Sequence, residues 1–276
     1  MINNINDKTI LNNGVKMPWL GFGVYLIEDG AAVNNAVRKA LETGYRSIDT
    51  AAVYKNEIGV GKAINESGIA REDIFLTTKV WNDNLRKKRV SEAFEESLKK
   101  LNTDYVDLYL IHWPVNNFYL DAWNEMEKIY KSGRAKAIGV SNFMIPHLQN
   151  ILNVCEVKPA VNQIEFHPLL VQPELLKFCK EQHIQLEAWS PLIQGQVTEI
   201  NAISELAKKY GKSAAQIVLR WNLQHGVVTI PKSSKPDRIV ENSELFDFEL
   251  SNLDMELLNS LNEGKRIGPD PYNFDF

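Results

Sequence analysis

A carboxylate, a phenol, an ammonium and an imidazole stand at the ends of consecutive short apolar runs in this chain. Asp49 and Tyr54 lie in Gly44-Tyr-Arg-Ser-Ile-Asp-Thr-Ala-Ala-Val-Tyr-Lys-Asn-Glu, Lys79 closes Thr77-Thr-Lys, and His112 closes Leu108-Tyr-Leu-Ile-His. If each run is a strand, the four groups arrive together and form a proton-transfer centre. One chemistry such a centre would serve is hydride delivery to a carbonyl carbon, in which a developing alkoxide takes up a proton. Tyr54 would donate it. A free phenol titrates near ~10, so Lys79 against the hydroxyl is expected to make Tyr54 more acidic, while Asp49 keeps the ammonium charged in a partly desolvated site. His112, as a neutral imidazole, would aim the carbonyl oxygen. Taken singly, each residue has an ordinary role: Asp49 as a helix N-cap, Tyr54 as core filler, Lys79 as a solvated strand end, His112 as a core histidine. Their common register at strand ends favours the joint role.

The elements that must position these groups alternate regularly. Strands are predicted at Leu20 to Gly23, Ser47 to Asp49, Phe75 to Lys79, Val106 to Ile111, Ala137 to Val140, Ala160 to Ile164, Gln185 to Trp189 and Val227 to Ile230. Between them run apolar stripes at helical spacing, such as Val33, Ala36, Val37, Ala40 and Leu41 before Gly44, and Val90, Phe94, Leu98 and Leu101. Pro173 opens one helix, Ser213 with Gln216 forms a capping box for another, and Ser251 with Asp254 starts a late one. Eight strands with intervening helices predict an α/β fold, a (β/α)8 TIM barrel with an N-terminal β-hairpin and C-terminal extra helices. The hairpin is expected at Thr9 to Met17, where Asn13-Gly14 would supply the positive φ angles of a tight turn. A single domain spanning 1–276 follows. In such a barrel reactive groups sit at the carboxyl ends of the strands, and Asp49, Lys79, His112, Ser141, Asn142, Gln163, Trp189, Lys232 and Ser233 all lie at or just past one.

Hydride must come from a cofactor. Gly21-Phe-Gly23-Val-Tyr-Leu lacks the third glycine of a Rossmann fingerprint, and in Gly59-Val-Gly-Lys-Ala63 the P-loop pattern fails because Asn56 and Ala63 replace its first glycine and its Mg²⁺-binding hydroxyl. The stronger signal is Ile230-Pro-Lys-Ser-Ser-Lys-Pro-Asp-Arg, in which Lys232, Ser233 and Arg238 can converge on a phosphate; a basic helix start paired with nearby acids is the rival reading.

From Gly14-Val-Lys-Met-Pro18 to Gly268-Pro-Asp-Pro, the chain resembles the aldo-keto reductases in the order and register of these motifs. The resemblance implies NADPH/NADP as cofactor, with Lys232, Ser233 and Arg238 on the 2′-phosphate, Glu241 and Asn242 at the adenine, Ser141, Asn142 and Gln163 on the carboxamide, and residue 189 stacked on the nicotinamide. It also assigns Ser190 and Leu192 to the ribose and pyrophosphate, and Tyr25, Trp81 and Trp113 to the substrate wall. Two departures stand out: Trp189 replaces the commoner Tyr, and Ile193 a frequent Gly. The implied activity is NADPH-dependent reduction of aldehydes, 2-oxoaldehydes and small ketones. Smaller bacterial and protist members of the family reduce methylglyoxal-like dicarbonyls, diketo-gluconate or prostaglandin endoperoxide. A monomer is implied as well.

Composition sets the outer bounds. The 276 residues are 44% hydrophobic and 24% charged, ordinary for a globular protein, and the net charge of -4 supplies no general field for nucleic acid or an anionic membrane. Cys155 and Cys179 are the only cysteines and form no Cys-x-x-Cys, which suits a reducing compartment; with no basic-then-apolar N-terminal segment the chain reads as cytoplasmic. His147, His167, His183 and His225 lack ligand spacing, so no metal is expected. Two other classes remain open: a regulatory barrel that binds cofactor with little turnover, and an aldolase-like lyase using Lys79 as a Schiff-base nucleophile.

Overall fold

The computed structural model describes residues 2–276. Near the N-terminus, β1 (Lys8–Ile10) and β2 (Lys16–Pro18) pair antiparallel with Ile10 opposite Lys16. Their turn differs from the sequence expectation, because Gly14 alone is left-handed, at φ 86°. The Gly14 N–H donates to Leu11 O over 2.9 Å, while Asn13 is occupied elsewhere, donating through Nδ2 to Lys136 O and accepting from the Val15 N–H. The loop is therefore anchored to the start of the Ala135–Ser141 strand rather than built as a two-residue turn.

Eight parallel strands follow in chain order: β3 (Phe22–Gly23), β4 (Ser47–Asp49), β5 (Phe75–Val80), β6 (Val106–Ile111), β7 (Ala135–Ser141), β8 (Val161–Glu165), β9 (Gln185–Trp189) and β10 (Val228–Thr229). Each pairs with its sequence neighbour. The sheet curls until its outer strands are joined by a parallel bridge between Leu20 and Thr229, with Gly21 N–H donating to Thr229 O (2.9 Å) and Thr229 N–H to Trp19 O (3.1 Å). The first and last strands are shorter than the apolar runs predict.

The helices are α1 (Ala31–Thr43), α2 (Glu57–Asn65), α3 (Asn82–Arg86), α4 (Val90–Leu101), α5 (Tyr119–Lys131), α6 (Ile145–Leu152), α7 (Pro173–Glu181), α8 (Asn201–Tyr210), α9 (Ala214–Gln224), α10 (Pro236–Glu241) and α11 (Asn252–Asn259). Their caps follow the chemistry of the sequence. Helix α1 buries its Val33, Ala36, Val37, Ala40 and Leu41 stripe and stops at Gly44 with φ 111°, while Ser213 and Gln216 close a reciprocal box at α9 and Ser251 accepts from the Asp254 N–H at α11.

Two apolar clusters result. The larger lies between the sheet and its helices; the smaller sits inside the sheet, where Leu11 and Met17 of the hairpin region pack on Phe75, Leu108, Leu110, Val161 and Val228. The amino-terminal end of the inner face of the sheet is thus filled mainly with hydrocarbon, and the charged inward-facing residues Asp49, Lys79 and Glu187 lie beyond it.

The glycines of the Gly59-Val-Gly-Lys stretch serve packing. A Cβ on Gly61 would come within 2.3 Å of Leu101 O, and one on Gly59 within 2.4 Å of Val33 Cγ1, so α2 can lie close to α4 and α1 only without side chains there. Replacing Gly61 with Ala should lower the thermal midpoint: overpacking costs about 1–3 kcal/mol and outweighs the ~1 kcal/mol of helix propensity that Ala gains. A midpoint equal to or above that of the parent protein in calorimetry would show that the two helices separate freely.

Candidate active site

At the carboxyl end of the sheet, Lys79 has no exposed surface and Asp49 almost none. The Lys79 Nζ donates to Asp49 Oδ1 over 2.6 Å and to the Thr50 carbonyl over 2.9 Å. An ammonium stripped of water requires such partners, since an isolated buried charge costs several kcal/mol. Tyr54 follows on a single 3-10 turn, Ala52–Tyr54, that ends at a left-handed Lys55. Its ring centroid lies 5.1 Å from Lys79 Nζ, 5.6 Å from the His112 ring and 5.0 Å from Tyr25. Wholly buried Asn56 fixes this turn: it accepts from the Thr50 hydroxyl and donates to Val24 O and Ile27 O, tying the segment that carries Tyr25 to the one that carries Tyr54. The four predicted groups therefore converge, and Asp49 is a strand-end ion-pair partner, not a helix cap.

The electrostatics follow from burial. The His112 imidazole is pushed well below its ordinary range, by burial and then by the Lys79 charge, so it is neutral at physiological pH, and its Nδ1 has no hydrogen-bond partner. Burial works against the Lys79 charge, but attraction to Asp49 and Tyr54 leaves its proton held more tightly than usual. Tyr54 reverses the sequence expectation. Burial raises it, Lys79 lowers it and Asp49 raises it again, and the sum is pushed up to about 12. Lys79 limits this rise without overcoming it, so the phenol keeps its proton through neutral pH, a donor that is always loaded. A protonated, enclosed Lys79 has no free lone pair, which disfavours a Schiff-base role.

A cavity of about 1040 Å³ opens above these groups, at the top of the size range of small-molecule sites. Tyr25, Trp81 and Trp113 line it beside Tyr54 and His112, together with Phe276, whose ring stacks on Trp81 at 5.7 Å and meets Trp113 edge-on at 5.3 Å. Arg86 and Asn82 hold the Phe276 carbonyl oxygen. Further along, Ser141, Asn142, Gln163 and Trp189 form the floor and wall. Asn142 is left-handed, at φ 65°; it donates to His112 O and Ser141 Oγ, and accepts from Trp189 Nε1 over 2.8 Å. Gly268 backs the indole so closely that a Cβ would lie 2.4 Å from Trp189 Cη2. Gln163 donates through one nitrogen to both Asp49 Oδ2 (2.8 Å) and Glu187 Oε2 (2.7 Å).

The loop after Trp189 has an unusual backbone. Ser190, Ile193 and Gln194 are all left-handed, at φ 48°, 51° and 53°. For a β-branched residue such as Ile193 this costs roughly 1–3 kcal/mol, comparable with the ~1.5–3 kcal/mol from burying the whole side chain, which is fully enclosed. Ser190 and Leu192 both face the cavity.

At the far end lie Lys232, Ser233, Arg238, Glu241 and Asn242. Lys232 and Arg238 are exposed, and neither has an acidic oxygen within 4.0 Å among the described residues. Two cations and the Ser233 hydroxyl lining one cavity are groups that suit a phosphate dianion, and a cavity of about 1040 Å³ that they share with Tyr54 has room for more than a lone phosphate. Among the described residues, no group of three His, Cys, Asp or Glu could hold a metal.

Residues 20–263 match the model of the aldo/keto reductase family. The chain belongs to that family. It is 54% identical over 271 residues to the glyoxal reductase of Bacillus subtilis (strain 168), covering 98% of both chains, and 50% identical over 268 residues to the methylglyoxal reductase DkgA of Salmonella typhimurium, covering 96% of both. Among solved structures, the Bombyx mori aldo-keto reductase in complex with NADP superposes with a TM-score of 0.90 at 36% identity, covering 98% of this chain and 96% of that one.

Sequence reasoning about this aldo/keto reductase missed Phe276, Gly268, Asn56 and Glu187. The aromatic ending Tyr272-Asn-Phe-Asp-Phe276 and the lone acid in Leu186-Glu-Ala-Trp were visible signals for two of them. The buried ion pair makes a direct prediction. Lys79→Met should destabilise the fold by about 3–5 kcal/mol, because the Asp49 carboxylate is left buried without its counterion, and adding Asn at position 49 should restore much of that loss. Urea unfolding of the two single variants and the double variant reads this; strictly additive losses would mean that the pair is uncoupled.

Proposed function

We propose that this chain reduces small aldehydes of the glyoxal and methylglyoxal class with NADPH, using Tyr54 as the proton donor. The observation that carries the reading is the convergence of Tyr54, neutral His112 and the buried Lys79–Asp49 pair at a cavity that Lys232 and Arg238 also line. Bound NADPH supplies the hydride. The residues do the rest: His112 donates a hydrogen bond to the carbonyl oxygen and aims it at Tyr54, and the phenol passes its proton to that oxygen as negative charge develops there. Lys79 then stabilises the tyrosinate left behind, and Asp49 keeps Lys79 charged. Lys232, Ser233 and Arg238 hold the 2′-phosphate, Glu241 and Asn242 lie at the adenine, and Trp189 presents its indole face to the nicotinamide ring, with Ser141, Asn142 and Gln163 offering polar atoms to the carboxamide.

The substrate class is supported by the glyoxal and methylglyoxal reductases at about half identity and by the aromatic wall of Tyr25, Trp81, Trp113 and Phe276, which suits a small uncharged carbonyl compound. The reading extends to one closed (β/α)8 barrel domain over 1–276, supported by the hydrogen bonds between its outermost strands. It extends also to a monomer in the cytoplasm: one chain supplies every group of the site, both thiols are free, and among the described residues no helix is long and apolar enough to cross a membrane.

Steady-state kinetics with glyoxal, methylglyoxal and aromatic aldehydes, each with NADPH and NADH, test the assignment. Tyr54→Phe should cut turnover by at least the ~10²-fold typical of a lost general acid with NADPH affinity nearly unchanged. Turnover within a few-fold of the parent enzyme would remove Tyr54 from that role. Replacing Lys232 and Arg238 together by Met should weaken NADPH far more than NADH, as direct binding titration reads; equal losses would take both residues off the phosphate.

A further inference from the structure

We propose that Glu187 is a positioning residue for the reaction, holding the Gln163 amide against Asp49 and so setting how firmly Asp49 holds Lys79; this rests on the reductase reading above. The geometry is a relay inside the barrel. Glu187 on β9 stands in register with Gln163 on β8 and, on its other side, with Val228 on β10, and it has no exposed surface. One nitrogen of Gln163 donates to both Asp49 Oδ2 and Glu187 Oε2, at 2.8 and 2.7 Å, so two acids share one amide. The other Glu187 oxygen, Oε1, is buried with no hydrogen-bond partner.

That orphan oxygen is informative. A purely structural residue here would be an aliphatic like Val228 beside it, whereas a carboxylate with a bare buried oxygen is expensive unless the group carries a proton. Among the described residues, the charged groups acting on Glu187 are Asp49 from β4 and Lys79 from β5. If Glu187 were ionised, one ammonium would face two carboxylates in the same dry layer. Burial, reinforced by the Asp49 charge and opposed by the Gln163 hydrogen bond and Lys79, raises its pKa to about 8. Around neutrality the acid is therefore neutral, and Lys79 belongs to Asp49 alone.

The consequence for the reaction has a definite sign. As pH rises through about 8, Glu187 becomes a second anion facing Lys79. Lys79 then stabilises a developing tyrosinate less well, and Tyr54 becomes a poorer proton donor. Neutral His112 and the loaded Tyr54 phenol do not titrate in that window. Stability shifts in the same direction: an acid whose folded pKa lies above its unfolded value costs stability progressively as pH climbs between the two, here from about 4.5 to about 8.

The test compares parent enzyme, Glu187→Gln and Glu187→Leu, with single-turnover reduction of methylglyoxal by bound NADPH measured from pH 6 to 9.5, alongside the thermal midpoint of each protein over pH 5 to 9. The Gln variant keeps an oxygen for Gln163 and cannot ionise, so it should match the parent near pH 6.5 and lose the alkaline decline. In the parent that decline should amount to at least about threefold, half a pK unit of coupling to Tyr54. The thermal midpoint of the Gln variant relative to the parent should rise between pH 5 and 8. The Leu variant, with no acceptor for Gln163, should be slower at every pH at near-parental KM for methylglyoxal. Coincident rate profiles for parent and Gln variant overturn the proposal, even where the midpoints diverge, since Glu187 would then be a buried acid with no bearing on the reaction. No carbonyl turnover in the parent enzyme overturns the reductase reading, and with it the role of Glu187 in catalysis.

Discussion

Everything at the carboxyl end of this curled sheet is arranged around one ammonium that has been taken out of water. Lys79 is fully enclosed, and the cost of that enclosure is offset only because Asp49 Oδ1 sits 2.6 Å away and the Thr50 carbonyl accepts a second hydrogen bond. Removing water strengthens each remaining interaction, so the charge of Lys79 acts on both Tyr54 and His112. It opposes protonation of the imidazole and stabilises the phenolate. One cation thus disfavours the protonated form of both neighbouring rings, keeping the imidazole neutral and limiting the rise that burial imposes on the phenol.

Such a layer is tolerable because hydrocarbon is concentrated elsewhere. Leu11 and Met17 seal the amino-terminal end against Phe75, Leu108, Leu110, Val161 and Val228, while close helix contacts at Gly59 and Gly61 pack the outer shell. The apolar surface buried in those two regions is what sustains a polar network at the opposite end, where burial of charge yields little net stability. Asn56 shows how local that division is: a single wholly buried amide couples the Tyr25 segment to the Tyr54 turn through three hydrogen bonds.

The strand ends were legible in the sequence because a parallel strand buried on both faces reads as a continuous apolar run, and the residue that breaks the run is the one that reaches the site. Asp49, Lys79 and His112 stand in that position, whereas the role of Trp189 came from the family resemblance. What resisted reading was anything set by contacts between distant segments. The Gly14 turn depends on Asn13 reaching Lys136, and the meeting of the outer strands on the bridge between Leu20 and Thr229. The direction of the Tyr54 shift depended on a balance: adjacency to Lys79 was visible in the motif pattern, but the larger effect of burial needs the surrounding rings of Tyr25 and His112. Ile193 is the reverse case. Local propensity argues against a left-handed isoleucine, and only the enclosure of its side chain makes that backbone acceptable.

The substitution of Trp for Tyr at position 189 has a structural consequence beyond ring size. The indole N–H donates to Asn142 Oδ1, and Asn142 Nδ2 donates to the backbone carbonyl of His112, so the indole and the His112 segment are linked through one left-handed asparagine. Gly268 closes the other side of the indole, leaving no room for it to retreat. The plane against which a nicotinamide would lie and the direction in which His112 would hold its substrate are therefore fixed together, by hydrogen bonds on one side and contact on the other. Rigid placement of this kind is what allows groups that only hold and orient to matter as much as the group that gives up its proton.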